Sequence, residues 1–333
     1  MSQLSQYTIL KILSDGAWHE VDRLCSSLEL SAAELQVEVA ALQTQGLLLE
    51  YRDGSGYRLA EPLILLDREQ IRAGLSASLR DSLVTFELHP SLDSTNTRAS
   101  CWLRDGGSGL ALFLAEKQVQ GRGRRGRSWV SPLARNIYFT VVWPVPAGQP
   151  VAAGFSLVTA LSVVSGLQAC GLPGSGQLRV KWPNDVWLGE AKLAGILLEL
   201  HGMQADRGHV IIGMGVNVRL PDHYRQLIEQ PVTDLFSQGT AAIDRNQLVV
   251  AILSSLERNL VALQTGGFEQ FRNRWRELDA LYGRKVEVSG PRQQLTGVAR
   301  GVGAAGELLL QTDAGEIRIS GGEVAPSLRA LSG

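Results

Sequence analysis

The sequence predicts an α/β (α+β) protein in three units: an N-terminal winged helix-turn-helix over residues 1–66, a central mixed-sheet domain over 67–282, and a C-terminal SH3-like β-barrel over 283–333. Three observations predict it. Apolar residues at helical spacing, followed by a hairpin pattern, fill the first sixty positions. Long apolar runs broken by glycine-bearing loops occupy the middle. From Gly283 the pattern changes to short strands at even spacing. The composition, 44% hydrophobic and 20% charged, is that of a soluble globular chain. Cys25, Cys101 and Cys170 are widely spaced, form no metal pattern and fit a reducing cytoplasm. No segment approaches the uninterrupted apolar length of a membrane span, and the N-terminus lacks the basic start and apolar core of a secretion signal.

In the first unit, Leu4, Tyr7, Leu10 and Ile12/Leu13 form one apolar stripe, and Val21, Leu24, Cys25 and Leu28 a second at i, i+3, i+4, i+7. Ser31 with Glu34 is a capping box for a third helix, whose buried stripe is Leu35, Val39 and Leu42 and whose stop is Gly46. Residues 47–52 and 57–60 read as strands around Asp53-Gly54. In a winged helix the third helix reads DNA, and its outward face here is Ala33, Gln36, Val37, Ala40, Ala41 and Thr44. Gln36, Val37 and Thr44 are the candidate base contacts. No Lys or Arg lies between Arg23 and Arg52, and residues 1–66 hold nine acidic against four basic side chains, so the cations that phosphate contact demands are missing. The unit is either a DNA reader or an interaction module that keeps the fold.

Glu61-Pro62 starts a connector, and Asp67 caps a short helix to about Leu75. In the central domain, residues 84–88 and 110–115 read as strands, as do 136–143 and 209–218. Asp93-Ser94-Thr95-Asn96 stands before a helix running to Leu103. Its hydroxyl and amide groups either cap that helix or meet a small polar head such as a ureido ring. Gly121-Arg122-Gly123-Arg124-Arg125-Gly126-Arg127 joins two core strands and puts four guanidinium groups and three glycines in one loop. Glycines let backbone approach a ligand, and guanidinium forks grip phosphate and carboxylate, so the loop is a candidate for ordering around an anion. Lys181-Trp182-Pro183-Asn184-Asp185 reads as strand and tight corner, followed by strand, hairpin turn and the apolar strand 192–197. Lys192, at the edge of that turn, is either solvated or an inward fixed charge. Gly213 and Gly215 allow close backbone approach.

Together, DSTN at 93–96, AEKQ-x-x-GRGRRGR-x-W at 115–129, KWPND at 181–185, KLAGIL at 192–197 and GxGxN at 213–217 resemble the biotin–protein ligases, and the N-terminal unit resembles their bifunctional ligase/repressor form. The resemblance covers nearly the whole chain, and five motifs in the family's order are specific. It implies a catalytic domain of the biotin/lipoate ligase type that makes biotinyl-5′-AMP from biotin and ATP, with Mg²⁺, and passes the biotin to a lysine of the biotin carboxyl carrier domain of acetyl-CoA carboxylase. It further implies a cytoplasmic homodimer in the adenylate-bound state, operator DNA as a second partner, and no membrane. By resemblance Lys192 and Arg124 are catalytic, and Ser94, Thr95, Asn96, Gln118, Arg122, Gly123, Arg124 and Lys192 hold biotin. Gly121, Arg122, Arg127, Trp129, Lys181, Asn184, Asp185, Gly195 and Asn217 face ATP or the adenylate, with Asp185 a metal-side carboxylate. The chemistry fits such residues, because a carboxylate approaching the α-phosphate is anion against anion and needs cations beside both. An Arg/Gly loop without fixed structure, ordering over the product, excludes water from a labile mixed anhydride. No GxxxxGK[ST] phosphate loop is present, and Pro231-Val232 stands near the point where some relatives place an aromatic against adenine.

Residues 246–264 and 268–281 read as amphipathic helices. Residues 285–288, 297–301, 307–311 and 316–320 read as strands, with a turn at Asp313-Ala314-Gly315. From its own residues this last unit is structural; in the family it abuts the active site. Two other functions compete: a biotin-sensing regulator without ligase activity, and a lipoate-type acyl-adenylate ligase. Lys192 and the intact GRGRRGR favour an enzyme, and DSTN with KWPND favours biotin.

Overall fold

The computed structural model describes residues 3–146, 154–202, 207–239, 243–289 and 294–326. The expected side chain of Leu4 and the tail 327–333 of the last unit lie outside the described residues.

Helices α1 (Gln3–Leu13), α2 (Val21–Leu28) and α3 (Ala32–Thr44) pack around Ile9, Leu10, Leu13, Leu24, Leu35, Val39 and Leu42, and β1 (Leu49–Arg52) pairs antiparallel with β2 (Gly56–Leu59). Ser31 Oγ accepts the Glu34 N–H while the Glu34 carboxylate accepts the Ser31 N–H, the expected capping box, which stabilises the helix by about 1 kcal/mol. Gly46 follows α3 with φ +84°, a conformation a side chain resists. Leu133 and Ala134 of the central region complete this core.

The connector is held by charge as well as by chain. Arg245 and Glu116 form a buried ion pair at 2.7 Å. Arg245 also donates to the Ile64 and Asn136 carbonyls, and Glu116 accepts the Leu66 N–H. All three nitrogens of the Arg245 guanidinium therefore meet an acceptor, the kind of pairing that lets an interior tolerate charge. Asp67 caps α4 (Arg68–Gly74) as expected; α5 (Ala77–Ser82), absent from the sequence reading, follows with Ser76 as its cap.

A seven-stranded mixed sheet comes next, in the order β3 (Leu83–His89), β4 (Leu110–Ala115), β5 (Ile137–Pro146), β9 (Arg207–Val216), β8 (Ala191–His201), β7 (Asp185–Leu188), β6 (Leu178–Lys181). Only β3–β4 is parallel, crossing over through α6 (Thr95–Arg104). α6 covers one face, on Ala111, Phe113, Val142 and Ile211. α7 (Gly154–Ala169), which the sequence reading did not pick out, covers the other together with α9 (Arg245–Gly266). α7 is buried on nearly all sides and has no charged residue; Thr159 and Ser162 turn their hydroxyls back to carbonyls of their own helix, so no solvated stripe marks it as a helix. A Cβ on its Gly166 would meet the Ile252 backbone at 2.7 Å, so the two helices touch through a glycine. By length and composition alone α9 could span a membrane, although Glu257 and Arg258 interrupt its apolar run. Its apolar stripe (Leu248, Ile252, Leu256, Leu260) instead faces α7 and the core.

The short α8 (Asp222–Arg225) lies between β9 and α9. The expected helix over 268–281 is shorter: a 3-10 turn precedes α10 (Arg272–Leu278), and Asp279 leaves the helix because the chain there bonds to strand β6, Ala280 N–H to the Val180 carbonyl at 2.9 Å. Five antiparallel strands close the chain: β10 (Lys285–Ser289), β11 (Gln294–Val302), β12 (Leu308–Thr312), β13 (Gly315–Ile319) and β14 (Glu323–Pro326), in the order 13-12-11-10-14. Val286, Val288, Ala299 and Leu310 continue the apolar cluster of the central sheet. Trp182 Nε1 donates to the Gly306 carbonyl at 3.1 Å, tying the two sheets together.

Candidate active site

A cavity of about 520 Å³ opens over the β8–β9 end of the large sheet. Three stretches of chain converge on it: the turn before α6, the β4–β5 loop and the β6–β7–β8 corner. Glu287, Ser289, Val324 and Ala325 of the small sheet complete the wall, so the last unit is more than a structural appendage.

Glycines hollow out the floor. Gly195 and Gly215 face each other across β8 and β9, and the Trp129 ring lies in the space they leave. A Cβ on Gly215 would overlap that ring, and one on Gly213 would overlap Asn96 Oδ1. Both are in extended strand, so the requirement here is room rather than unusual backbone conformation.

The polar end is built on the turn into α6. Ser94 begins the helix, but its side chain makes no capping bond and lines the cavity, which settles the capping alternative against it. Thr95 donates its N–H to Gln118 Oε1 at 2.9 Å, and Thr140 Oγ1 lies 2.7 Å from Asn96 Oδ1. Gln118 Nε2 donates to Ser131 Oγ at 3.2 Å. Ser94, Thr95 and Asn96 are buried, and the network fixes the orientation of their polar groups.

The cationic end depends on a bulge. Val186 pairs with Ala194 but Trp187 with Lys192, so β8 carries one extra residue at Leu193. In a regular strand, positions 192 and 195 point to opposite faces; the bulge turns Lys192 onto the face of Gly195, where its Cε lies 3.2 Å from the position a Gly195 Cβ would take. Lys192 is therefore inward, 13% exposed, with Nζ 2.8 Å from Asp185 Oδ1 and 5.5 Å from the Trp129 ring centre. Lys181 Nζ lies over the Trp187 ring at 4.6 Å. Burial, with Lys192 and Arg127 nearby, holds the Lys181 ammonium below its ordinary pKa against the pull of Asp185. Arg124 is lowered by burial and by Arg125, and donates to Asn184 Oδ1 at 3.1 Å. Asn184 Nδ2 in turn donates to the Ile196 carbonyl at 2.6 Å. Several cations thus share a poorly hydrated space, and a bound anion would relieve their mutual repulsion.

The arginine loop differs from the expected unstructured flap. It closes as a small hairpin, Gly123 N–H to Arg127 carbonyl at 2.7 Å and Trp129 N–H to Gly121 carbonyl at 2.8 Å, with Arg125 in the left-handed region at φ 56°. Arg122 pairs with Glu199, Arg124 with Asn184, and Arg125 donates to the Ser289 carbonyl at 3.3 Å. Charge density alone suggested mobility; partners from three distant segments supply the order.

Of the sequence candidates, Ser94, Thr95, Asn96, Gln118, Arg122, Gly123, Arg124, Arg127, Trp129, Lys181, Asn184, Asp185, Lys192 and Gly195 line the cavity. Gly121 and Asn217 do not: a Cβ on Gly121 would overlap the Trp129 carbonyl, and Asn217 Nδ2 donates to the Thr233 carbonyl at 3.2 Å. Gln36, Val37 and Thr44 lie on the exposed face of α3, and Arg52 and Arg58 of the β1–β2 hairpin both lie over the Trp18 ring. Sequence reasoning missed Glu199, Glu190 and the small-sheet residues; a lone carboxylate in a strand carries no local signal of a partner seventy residues away. Lys192 N–H bonds to the Pro231 carbonyl at 2.9 Å, and Gln230 and Pro231, at the point where this sequence has no aromatic, are wall to the same cavity. Among the described residues no three His, Cys, Asp or Glu side chains gather as a metal cage.

Residues 88–217 match the model of the Biotin/lipoate A/B protein ligase family, and residues 282–325 that of the Biotin protein ligase C terminal domain. The chain is 33% identical over 318 residues to the bifunctional ligase/repressor BirA of Salmonella typhimurium, covering 96% of each. It is 37% identical to the biotin–[acetyl-CoA-carboxylase] ligase of Paracoccus denitrificans over 70% of this chain and 96% of that one. The solved biotin protein ligase from Aquifex aeolicus in complex with biotin and ATP superposes with a TM-score of 0.61 at 26% identity, over 73% of this chain and 98% of that one.

Proposed function

This chain belongs to the Biotin/lipoate A/B protein ligase family, and on that premise we propose that it is a cytoplasmic, ATP-dependent biotin–[acetyl-CoA-carboxylase] ligase. Biotin's carboxylate oxygen attacks the α-phosphorus of ATP, the bond to pyrophosphate breaks, and biotinyl-5′-AMP forms. A carrier-domain lysine amine then attacks the acyl carbon, loses a proton, and expels AMP. The observation that carries this reading is one cavity with a fixed, neutral hydrogen-bonding end and a cationic end set by the Lys192 bulge.

Ser94, Thr95, Asn96 and Gln118 hold the polar ring of biotin in this reading, and Trp129 walls its apolar body. Lys192 and Arg124 neutralise the carboxylate and the α-phosphate as they meet, an electrostatic task that preorganised cations in a dry site perform well. Arg122 and Gly123 cover the biotin, while Arg122, Arg127, Lys181, Asn184, Asp185 and Gly195 face the nucleotide; Gly121 and Asn217 act from behind the wall. Mg²⁺ bound with the phosphates would supply charge neutralisation for the leaving pyrophosphate. Asp185 is the protein carboxylate nearest that role, and its contact with Lys192 limits what it gives a metal.

The unit boundaries 1–66, 67–282 and 283–333, with a winged helix-turn-helix first and an SH3-like barrel last, belong to the same reading. The three helices and hairpin, and the ligase/repressor relative, support a second role as repressor of a biotin operon, acting as an adenylate-bound homodimer. The cation-free face of α3 weighs against it. Incubation with ATP, biotin and a carrier domain, read out as biotinylated lysine, tests the ligase. Transfer of lipoate instead, or biotin binding without transfer, overturns it. A gel shift on a biotin operator with adenylate tests the repressor.

A further inference from the structure

Glu199 on β8 holds two parts of the site at once. Its Oε2 accepts Asn96 Nδ2 at 2.9 Å, and its carboxylate accepts Arg122 through Nη2 at 2.7 Å and Nη1 at 3.3 Å. Asn96 belongs to the rigid floor: it is buried, contacted on its other side by Thr140, and set against the bare Cα of Gly213. Arg122 belongs to the cover: it is 44% exposed and sits at the start of the glycine-rich hairpin, where its backbone bridges to Ser128. One carboxylate therefore spans floor and cover.

We propose that Glu199 is a positioning residue that latches the 121–127 hairpin onto the polar end of the cavity. The orientation of Asn96 and the closure of the arginine cover then depend on the same side chain. The paired fork geometry makes the latch directional, while partial exposure of both partners, 44% and 27%, keeps it weak enough to open for ligand entry. Its kinetic consequences rest on the ligase reading above: a closed cover retains the adenylate, and a ligand seated against Asn96 shares the carboxylate that draws Arg122 down. The latch itself exists without ligand.

The experiment uses the whole chain with Glu199→Ala and Glu199→Gln. Without any ligand, trypsin should cut within residues 122–127 about tenfold faster in Glu199→Ala than in the parent, the size expected for losing a charge-assisted bond. Glu199→Gln, which keeps an acceptor without the charge, should fall between. With biotin and ATP, release of biotinyl-adenylate should speed up by a similar factor while the adenylation rate falls less. Combining Glu199→Ala with Arg122→Ala should add little to either alone. Cleavage at the parent rate in both variants, or fully additive effects on release, overturns the latch. A parent that makes no adenylate removes the ligase reading, and the ligand-free digestion still decides the latch.

Discussion

Two ion pairs in this molecule use the same chemistry for different ends. Arg245 and Glu116 are 4% and 0% exposed, and they bond further to the connector and to the Asn136 carbonyl just before β5. Lys192 and Asp185 are 13% exposed, border a cavity, and share it with Lys181, Arg124 and Arg127. The first pair is saturated and holds the N-terminal unit to the sheet. The second is held by a bulge in a place where positive charge exceeds negative. The difference teaches that a buried charge is read by what its neighbours leave unanswered, rather than by its burial.

If that distinction is right, breaking each pair has a different readout. Glu116→Ala should cost about 3–5 kcal/mol of stability, as expected when one partner of a buried pair is stranded, measured by urea unfolding. A loss below 1 kcal/mol would erase the contrast. Lys192→Ala should slow adenylation at least about a hundredfold, the scale for losing a transition-state charge partner, measured by pyrophosphate release, with far less effect on the urea midpoint.

Asp279 sharpens the comparison as a third case. It is a buried carboxylate with no cation against it among the described residues, and burial pushes its pKa up to about 6. The folded form therefore binds the proton more tightly than the unfolded chain. This contribution to stability is greatest below about pH 4, declines as pH rises to about 6, and is flat beyond. Asp279→Asn should be more stable than the parent by about 3 kcal/mol at pH 7.5, with the gap closing near pH 4. A gap independent of pH would contradict the assignment. Arg124→Ala should slow adenylation less than Lys192→Ala, because neighbouring arginines share its charge, and should speed escape of biotinyl-adenylate about tenfold. Equal escape from mutant and parent would remove it from the cover.

Much of this was legible in the sequence because it is local. The Ser31–Glu34 cap, the Asp67 cap, the glycine stop after α3, the strand at 110–115 and the strand–corner–strand at 181–188 depend on near neighbours and period. Fourteen of the site candidates line one cavity because five motifs, each short, mark the loops that build it. What stayed hidden is what depends on distant partners. α7 has no charged residue, and its polar positions are mostly small hydroxyls, two of them buried, so no solvated face gives it a helical signature. The bulge that aims Lys192 is a property of pairing between strands. The order of the arginine hairpin comes from Glu199, Asn184 and Ser289, each sixty or more residues away.

The most direct test of the central claim is a structure of the chain with biotin and a non-hydrolysable ATP analogue. The account predicts the biotin carboxylate within hydrogen-bond reach of Lys192 Nζ, the ureido ring against Ser94, Asn96 and Gln118, and Arg124 turned toward the α-phosphate. A biotin carboxylate remote from Lys192, with residues 121–127 directed into solvent, would contradict it.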